Sequence, residues 1–277
     1  MTTIVDGKDL ARECIARMRT FVATLNRVPH MTAFTMNPTA PTRQFLKLKQ
    51  RVADQIGVVM HIEELAADTT VAEACLMLDA AIAETDGVVI QLPFVEGFDV
   101  DTLLARLPED LDPDCMGVEA GELLRGHEHI VLPPVVSAIR HIAVRHGVSF
   151  AGKKVAVVGQ GRLVGAPAAQ WCEEIGAQVA RLTKSSPDLT ERIAEADVVV
   201  LGAGSPGLLT ARMVREGVAI FDAGTSEEGG RVVGDADASC GEKASLITPV
   251  PGGIGPLAVA ELFGNLLRLR FDYQGRV

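Results

Sequence analysis

The sequence predicts an α/β protein of two domains, and three observations carry that expectation. Short apolar, β-branched runs alternate with segments of helical periodicity along most of the 277 residues. One run, Val155 to Val158, passes directly into Gly159-Gln160-Gly161-Arg162-Leu163-Val164-Gly165 and then into a helical stretch from Pro167 that Gly176 ends. Near the C-terminus, residues 249 to 256 hold three prolines and three glycines ahead of a long apolar helix.

The first elements are a short strand ending at Asp6-Gly7-Lys8-Asp9 and a helix carrying Leu10, Cys14, Ile15, Met18 and Phe21 on one face. Met31 to Met36 alternates as a strand, residues 37 to 42 form a turn, and Thr42 is placed to cap the next helix. That helix, from about Arg43 to Ile56, carries Phe45, Leu48, Lys49, Val52, Ala53 and Ile56 on one face. Lys49 therefore lies inside an apolar stripe. Two readings are open: a stem that snorkels from the edge, or an ammonium directed into a cleft with a lowered pKa. Residues 57 to 61 read as a strand, 71 to 83 as an amphipathic helix, and 86 to 93 as a strand ending in Gln91, Leu92 and Pro93. An acidic loop follows, in which Asp110, Asp112 and Asp114 fall within five residues. It is either a solvated loop or a weak candidate for holding a metal or a substrate. Residues 133 to 146 read as a helix.

The Val155–Gly176 stretch is a strand, a Gly-rich turn and a helix, the first unit of a Rossmann-like dinucleotide-binding domain. Its spacing, Gly-x-Gly-x-x-x-Gly, puts the last glycine one place late, so a plain tight turn stays open as the alternative. Further strands at 177–181, 196–203 and 217–222 each run into a Gly- or Ser-rich loop, where ligands sit in open parallel sheets. These loops make Gly202, Ala203, Gly224 and Thr225 candidate cofactor contacts beside Gly159 to Gly165. The end of the second strand lacks the acid that pairs with a ribose hydroxyl and carries Arg181, Lys184 and Ser185 instead. That favours a 2′-phosphate, hence NADP, over a merely solvated basic turn. The Pro/Gly segment is rigid and slender; it either presses backbone against a flat ligand or connects domains.

Composition excludes several classes. Hydrophobic residues make up 48% and mean hydropathy is +0.24, which describes a globular chain. No apolar run reaches the ~18 residues of a membrane span, and the start has neither the basic region nor the apolar core of a signal peptide. A net charge of −10 argues against a nucleic-acid surface. Five dispersed cysteines, Cys14, Cys75, Cys115, Cys172 and Cys240, have no metal-like spacing and suit reduced thiols in a cytoplasm. The six histidines form no metal pair; His127 and His129, two apart, read as solvated. No metal is expected.

Taken together the motifs resemble the bifunctional methylenetetrahydrofolate dehydrogenase/methenyltetrahydrofolate cyclohydrolase family, over almost the whole chain. The strongest match is Thr248-Pro-Val-Pro251-Gly252-Gly253-Ile-Gly-Pro256. Val89-Ile-Gln91-Leu92-Pro93, the Val158–Pro167 loop, Phe221-Asp-Ala-Gly224 and Val233-Gly-Asp235 also match. The resemblance implies that Lys49, Gln91 and Asp114 are catalytic. It implies that Phe45, Leu92, Pro93, Pro251, Gly252 and Gly253 line a tetrahydrofolate one-carbon substrate, and that the protein is a homodimer. It also implies a folate domain of residues 1–136 and 257–277 around an NADP-binding domain of 137–256. The implied reaction is NADP-dependent oxidation of methylenetetrahydrofolate followed by hydrolysis to formyltetrahydrofolate, a second step that Phe45 in place of the family's tyrosine is expected to weaken or abolish. The departures lie on the folate side: the family's tyrosine is Phe45, its acidic-loop glycine is Cys115, and its Pro-Cys-Thr-Pro segment is Pro133-Pro-Val-Val136. Two rivals follow, a dehydrogenase of another substrate on the same scaffold and a non-catalytic nucleotide- or folate-binding homologue. A lysine set in a helix's apolar stripe speaks against the second.

Overall fold

The structure is a computed structural model that describes residues 2–117 and 131–275. His127 and His129 lie outside the described residues. The chain forms two compact units, one of residues up to Ala11 with Val135–Ala258, the other of Arg12–Pro134 with the residues from Val259.

The second of these is built on a parallel three-stranded sheet. Strand β2 (His30–Met36) lies between β3 (Val59–Leu65) and β4 (Val88–Ile90). Helix α2 (Ala40–Ile56) crosses from β2 to β3, and α3 (Val71–Glu84) crosses from β3 to β4. The two crossings run in opposite directions along the sheet, so right-handed connections put α2 and α3 on opposite faces. Phe34 and Met36 of β2 pack with Ala74, Cys75 and Leu78 of α3 and with Leu103 and Leu104 of α4 (Val100–Leu104). By the two-residue period of a strand, Ala33 and Thr35 face the other way.

Helix α2 begins a turn earlier than the periodicity indicates. Its cap is Thr39, whose Oγ1 accepts the Thr42 N–H at 3.4 Å, so the expected cap at Thr42 is corrected: Pro41 fits the first turn, where no N–H is needed. Gly57 ends the helix at φ 86°, a conformation other residues adopt at a cost. A capping box between Thr70 and Glu73 starts α3.

The other unit is built on a six-stranded sheet, parallel throughout. Its order is β1 (Thr3–Ile4), β11 (Leu246–Ile247), β8 (Ala219–Asp222), β7 (Val198–Leu201), β5 (Lys154–Val158), β6 (Gln178–Leu182). Helices α6 (Gly165–Glu174) and α7 (Leu189–Glu195) make the crossings around β5. The strand order reverses at β5, which makes the carboxyl ends of β5 and β7 the switch point where open sheets bind ligands. Ala156, Val158, Val199, Leu201 and Ile220 pack with Ile193 and Leu209 into one core. Phe150 meets Trp171 and Phe221 with ring centroids 5.0 and 5.4 Å apart. A hairpin of β9 (Ser226–Glu228) and β10 (Arg231–Val233) turns at Gly229-Gly230, both at positive φ.

Two placements differ from the sequence reading. Strand β1 pairs with β11, so the first eleven residues join the larger sheet's unit rather than the Lys49 unit. A two-residue strand carries no pattern of its own, and only its partner decides where it goes. The last helix, α8 (Ile254–Phe271), starts three residues inside the stretch read as a loop, with Pro256 in its first turn. Helix α1 (Gly7–Val22) and α5 (Pro134–His146) are the remaining α-helices among the described residues.

Candidate functional site

Lys49 is buried on α2, 8% exposed, between Leu46 and Val52 of the same helix. Its Nζ donates to Gln91 Oε1 at 2.9 Å and lies 3.8 Å from Asp114 Oδ2. Gln91 is placed by two bonds of its own. Its N–H donates to Phe34 O at 2.8 Å, which extends the β4 pairing by one residue, and its Nε2 donates to Leu92 O at 3.1 Å. The side-chain oxygen is thereby left to face the lysine. Burial lowers the Lys49 pKa, and the Asp114 charge opposes that shift in part. The snorkelling alternative is excluded: this ammonium does not reach out to water. Phe45 stands one turn before Lys49 and is half-buried.

The acidic loop does not gather its carboxylates. Asp110 pairs with Arg270, Asp114 faces Lys49, and Asp112 turns inward. Asp112 is 1% exposed; its Oδ2 accepts the Gly117 N–H at 2.6 Å, and its Oδ1 has no partner among the described residues. Burial pushes its pKa up to about 7, and the Asp114 charge adds to the rise. Cys115, next after Asp114, sits at φ 54°, where a side chain costs about 1–2 kcal/mol relative to the right-handed region. Burial raises its thiol pKa, so the group is not a ready thiolate.

Asn265 of α8 holds this loop, and the sequence reading passed it over. Its Nδ2 donates to Pro113 O at 2.9 Å and Leu132 O at 2.8 Å, bracing the residue between Asp112 and Asp114. The signal was available: one fully buried asparagine among Leu262, Phe263, Leu266 and Leu267.

In the other unit the Gly-rich turn leaves β5 at Gly159. A Cβ at Gly165 would lie 1.8 Å from Gly159 O, and one at Gly159 would lie 2.3 Å from Gly202 O. The turn, the start of α6 and the loop after β7 are thus in backbone contact, closed up as only glycine permits. Val164 caps α6 with no side-chain bond; in the first turn Ala166 donates to Gly161 O at 3.1 Å and Pro167 has no N–H, so an anionic group would meet chiefly the Gly165 end of the helix and its dipole. These features fit a dinucleotide phosphate. Gln160 is spent on structure: its Nε2 donates to Val157 O at 3.0 Å and Leu182 O at 3.3 Å. Val164 packs over Gly202, whereas Gly161, Arg162 and Leu163 are exposed on the turn. Arg181 holds Glu173 through two bonds of 2.9 and 2.7 Å, with Lys184 and Ser185 exposed beyond it. Ala203 donates its N–H to Asp235, Gly224 is buried, and Thr225 is exposed. Pro251, Gly252 and Gly253 belong to this unit, whereas Phe45, Leu92 and Pro93 belong to the Lys49 unit.

A doubly wound parallel sheet with this turn, joined to a second α/β unit holding a buried Lys–Gln–Asp cluster, defines a two-domain enzyme class of the dinucleotide-dependent kind. The family model described as tetrahydrofolate dehydrogenase/cyclohydrolase, NAD(P)-binding domain, matches residues 133–272. A bifunctional protein FolD of Lactobacillus delbrueckii subsp. bulgaricus is 31% identical over 276 residues, 97% of each chain. One from Chloroflexus aurantiacus is 33% identical over 273 residues, 95% of each. The chain belongs to the tetrahydrofolate dehydrogenase/cyclohydrolase family. Its fold is similar to that of FolD from Campylobacter jejuni, with a TM-score of 0.93 at 25% identity over 98% of this chain and 99% of that one. It is equally similar to Trypanosoma brucei FolD, a structure with NADP and inhibitor, with a TM-score of 0.92 at 27% identity over 98% of each.

Proposed function

We propose that the protein oxidises methylenetetrahydrofolate to methenyltetrahydrofolate with NADP, and hydrolyses the product to formyltetrahydrofolate only weakly. The observation that carries this is the buried Lys49, 2.9 Å from Gln91 and 3.8 Å from Asp114, in a chain of this family. Gly159 to Gly165, with Gly202 and Ala203, would hold the cofactor's phosphates, and Arg181, Lys184 and Ser185 its 2′-phosphate. NADP, when bound, supplies the acceptor for the hydride that leaves the methylene carbon. The substrate's own nitrogens stabilise the cation that remains, so the chain's part in that step is placement. Phe45, Leu92, Pro93, Pro251, Gly252 and Gly253 are assigned to the folate.

Hydrolysis asks more of the protein. Water adds to the cationic carbon; one of its protons is lost to a base and on to solvent, and the other reaches the ring nitrogen as the bond from that nitrogen to the carbon breaks. An amine whose pKa burial has lowered is a better proton acceptor near neutral pH than an exposed lysine. Gln91 fixes that amine's direction, and Asp114 is assigned to grip the pterin. The family's tyrosine would place a hydroxyl one turn from the amine; Phe45 keeps the ring and removes the polar partner. Proton handling therefore suffers more than hydride transfer. None of the five cysteines is joined in a disulfide, which supports a reducing cytoplasm; we take the assembly to be the homodimer the family implies.

The test measures both activities in the natural protein, in Phe45→Tyr and in Lys49→Ala. Dehydrogenation is expected to outrun hydrolysis in the natural protein. Phe45→Tyr should raise hydrolysis relative to dehydrogenation, and Lys49→Ala should lower hydrolysis by about a hundredfold or more. Fast hydrolysis in the natural protein, or an unchanged ratio in Phe45→Tyr, overturns the assignment.

A further inference from the structure

Two fully buried carboxylates of the larger sheet's unit take no part in the scheme above. Asp235 is 0% exposed and Asp222 is 2% exposed. Asp235 accepts three consecutive backbone N–H groups: Ala203 at 2.7 Å and Gly204 at 3.1 Å on Oδ2, and Ser205 at 2.6 Å on Oδ1. Consecutive N–H groups converging on one anion, with Gly204 at φ 59°, form a backbone nest of the kind that binds phosphates. Here the chain's own carboxylate fills it.

Asp222, at the end of β8, holds the segment that carries Asp235. Its Oδ1 accepts the Gly224 N–H at 2.9 Å and its Oδ2 the Ala236 N–H at 2.8 Å, while Thr248 Oγ1 accepts the Asp222 N–H at 2.7 Å. Both carboxylates enter through glycines. A Cβ at Gly224 would lie 2.3 Å from Asp235 Cγ, and one at Gly234 would lie 2.2 Å from Asp222 Oδ2. Gly224, which the sequence assigns to the cofactor, thus has a nearer duty. The contacts run on from Ala203 to Gly202, whose oxygen faces Gly159, and from Gly159 to Gly165 at the head of α6.

We propose that Asp235 is a positioning residue of the dinucleotide site: its carboxylate fills the nest at Ala203–Ser205 and so fixes the loop against which the Gly159 turn is closed. The inference rests on that turn being the cofactor site. Asp235 touches no cofactor; it acts through the backbone it holds. Asp235→Asn is isosteric but turns an NH2 group toward N–H donors, so the nest loses its charge and at least one bond.

The experiment has two arms. Hydrogen exchange of the natural protein without cofactor should show the amides of Ala203 to Ser205 protected, and Asp235→Asn should expose them. Titration with NADPH, together with steady-state kinetics, should show Asp235→Asn binding about tenfold or more weaker. Its KM for NADP should rise in proportion while its KM for the folate substrate stays put. Asp237→Asn, an exposed cap two residues on, should change neither. The proposal is overturned if those amides exchange freely in the natural protein, or if Asp235→Asn loses stability yet binds NADPH as the natural protein does. Should the natural protein fail to bind NADPH at all, the cofactor reading falls, and the exchange arm still decides the clamp.

Discussion

Asp112 shows how much one side chain can set. An aspartate in the unfolded chain titrates near 3.8, and burial lifts this one to about 7. Between those values the folded protein holds a proton that the unfolded chain has released. The carboxyl therefore contributes stability fully below about pH 4, and that contribution is lost as pH rises through 7. Above that, a charge stays buried with one oxygen unpartnered among the described residues. Asp112→Asn keeps an oxygen for the Gly117 N–H and cannot ionise. It is expected to be more stable than the natural protein at about pH 8, by on the order of 1–3 kcal/mol, with the gap narrowing toward about pH 5. Thermal unfolding of both proteins at the two pH values checks this; a gap that widens on acidification contradicts it. Lys49 illustrates what a sequence can say about a residue. Its place in an apolar stripe marked it as unusual, but the same stripe fits a snorkelling lysine. What separates the two is Gln91, forty-two positions away. No local pattern encodes that contact.

At the scale of elements, the strands and helices that bury one face were legible because their period repeats over several residues. The β5–turn–α6 unit was legible for a different reason: backbone contact there leaves no room for a side chain, so the sequence must write glycine. Elements set by a partner were not legible. Strand β1 has two residues, and its place follows from β11 at the far end of the chain. The hairpin at Gly229-Gly230 carries a two-glycine turn signal, but its charged neighbours give the flanking strands no apolar alternation. Strand β6 carries Arg181 near its end, the group proposed to hold the cofactor's 2′-phosphate. Glu173 takes up two of Arg181's five donors and orients the guanidinium, leaving the rest for a phosphate. Arg181→Ala is expected to raise the KM for NADP by about tenfold while moving that for NAD far less. Equal effects on the two would place the 2′-phosphate elsewhere.

Across the whole molecule, the three residues that the family resemblance points to are ones the fold brings together. Lys49, Gln91 and Asp114 come from a helix, a strand end and a loop of one unit, and the fold brings them within hydrogen-bond or ion-pair reach. The supports of that arrangement were the harder part to read. Asn265 braces the acidic loop from the last helix, Asp235 holds the loop after β7, and Asp222 at the end of β8 holds the segment that carries Asp235. Asn265 stands out in an apolar helix, but Asp222 and Asp235 look like ordinary polar positions until their partners are known. The departures on the folate side, Phe45 and Cys115, leave the cluster intact, so they bear on the balance between the two reactions rather than on the substrate. The most direct test of that account is the initial rate of NADPH formation when the natural protein is given methylenetetrahydrofolate and NADP, with the folate products followed in the same mixture. The expected result is NADPH in step with methenyltetrahydrofolate, which accumulates ahead of formyltetrahydrofolate, and a slower rate with NAD. No reduced cofactor, or formyltetrahydrofolate appearing as fast as NADPH, would contradict it.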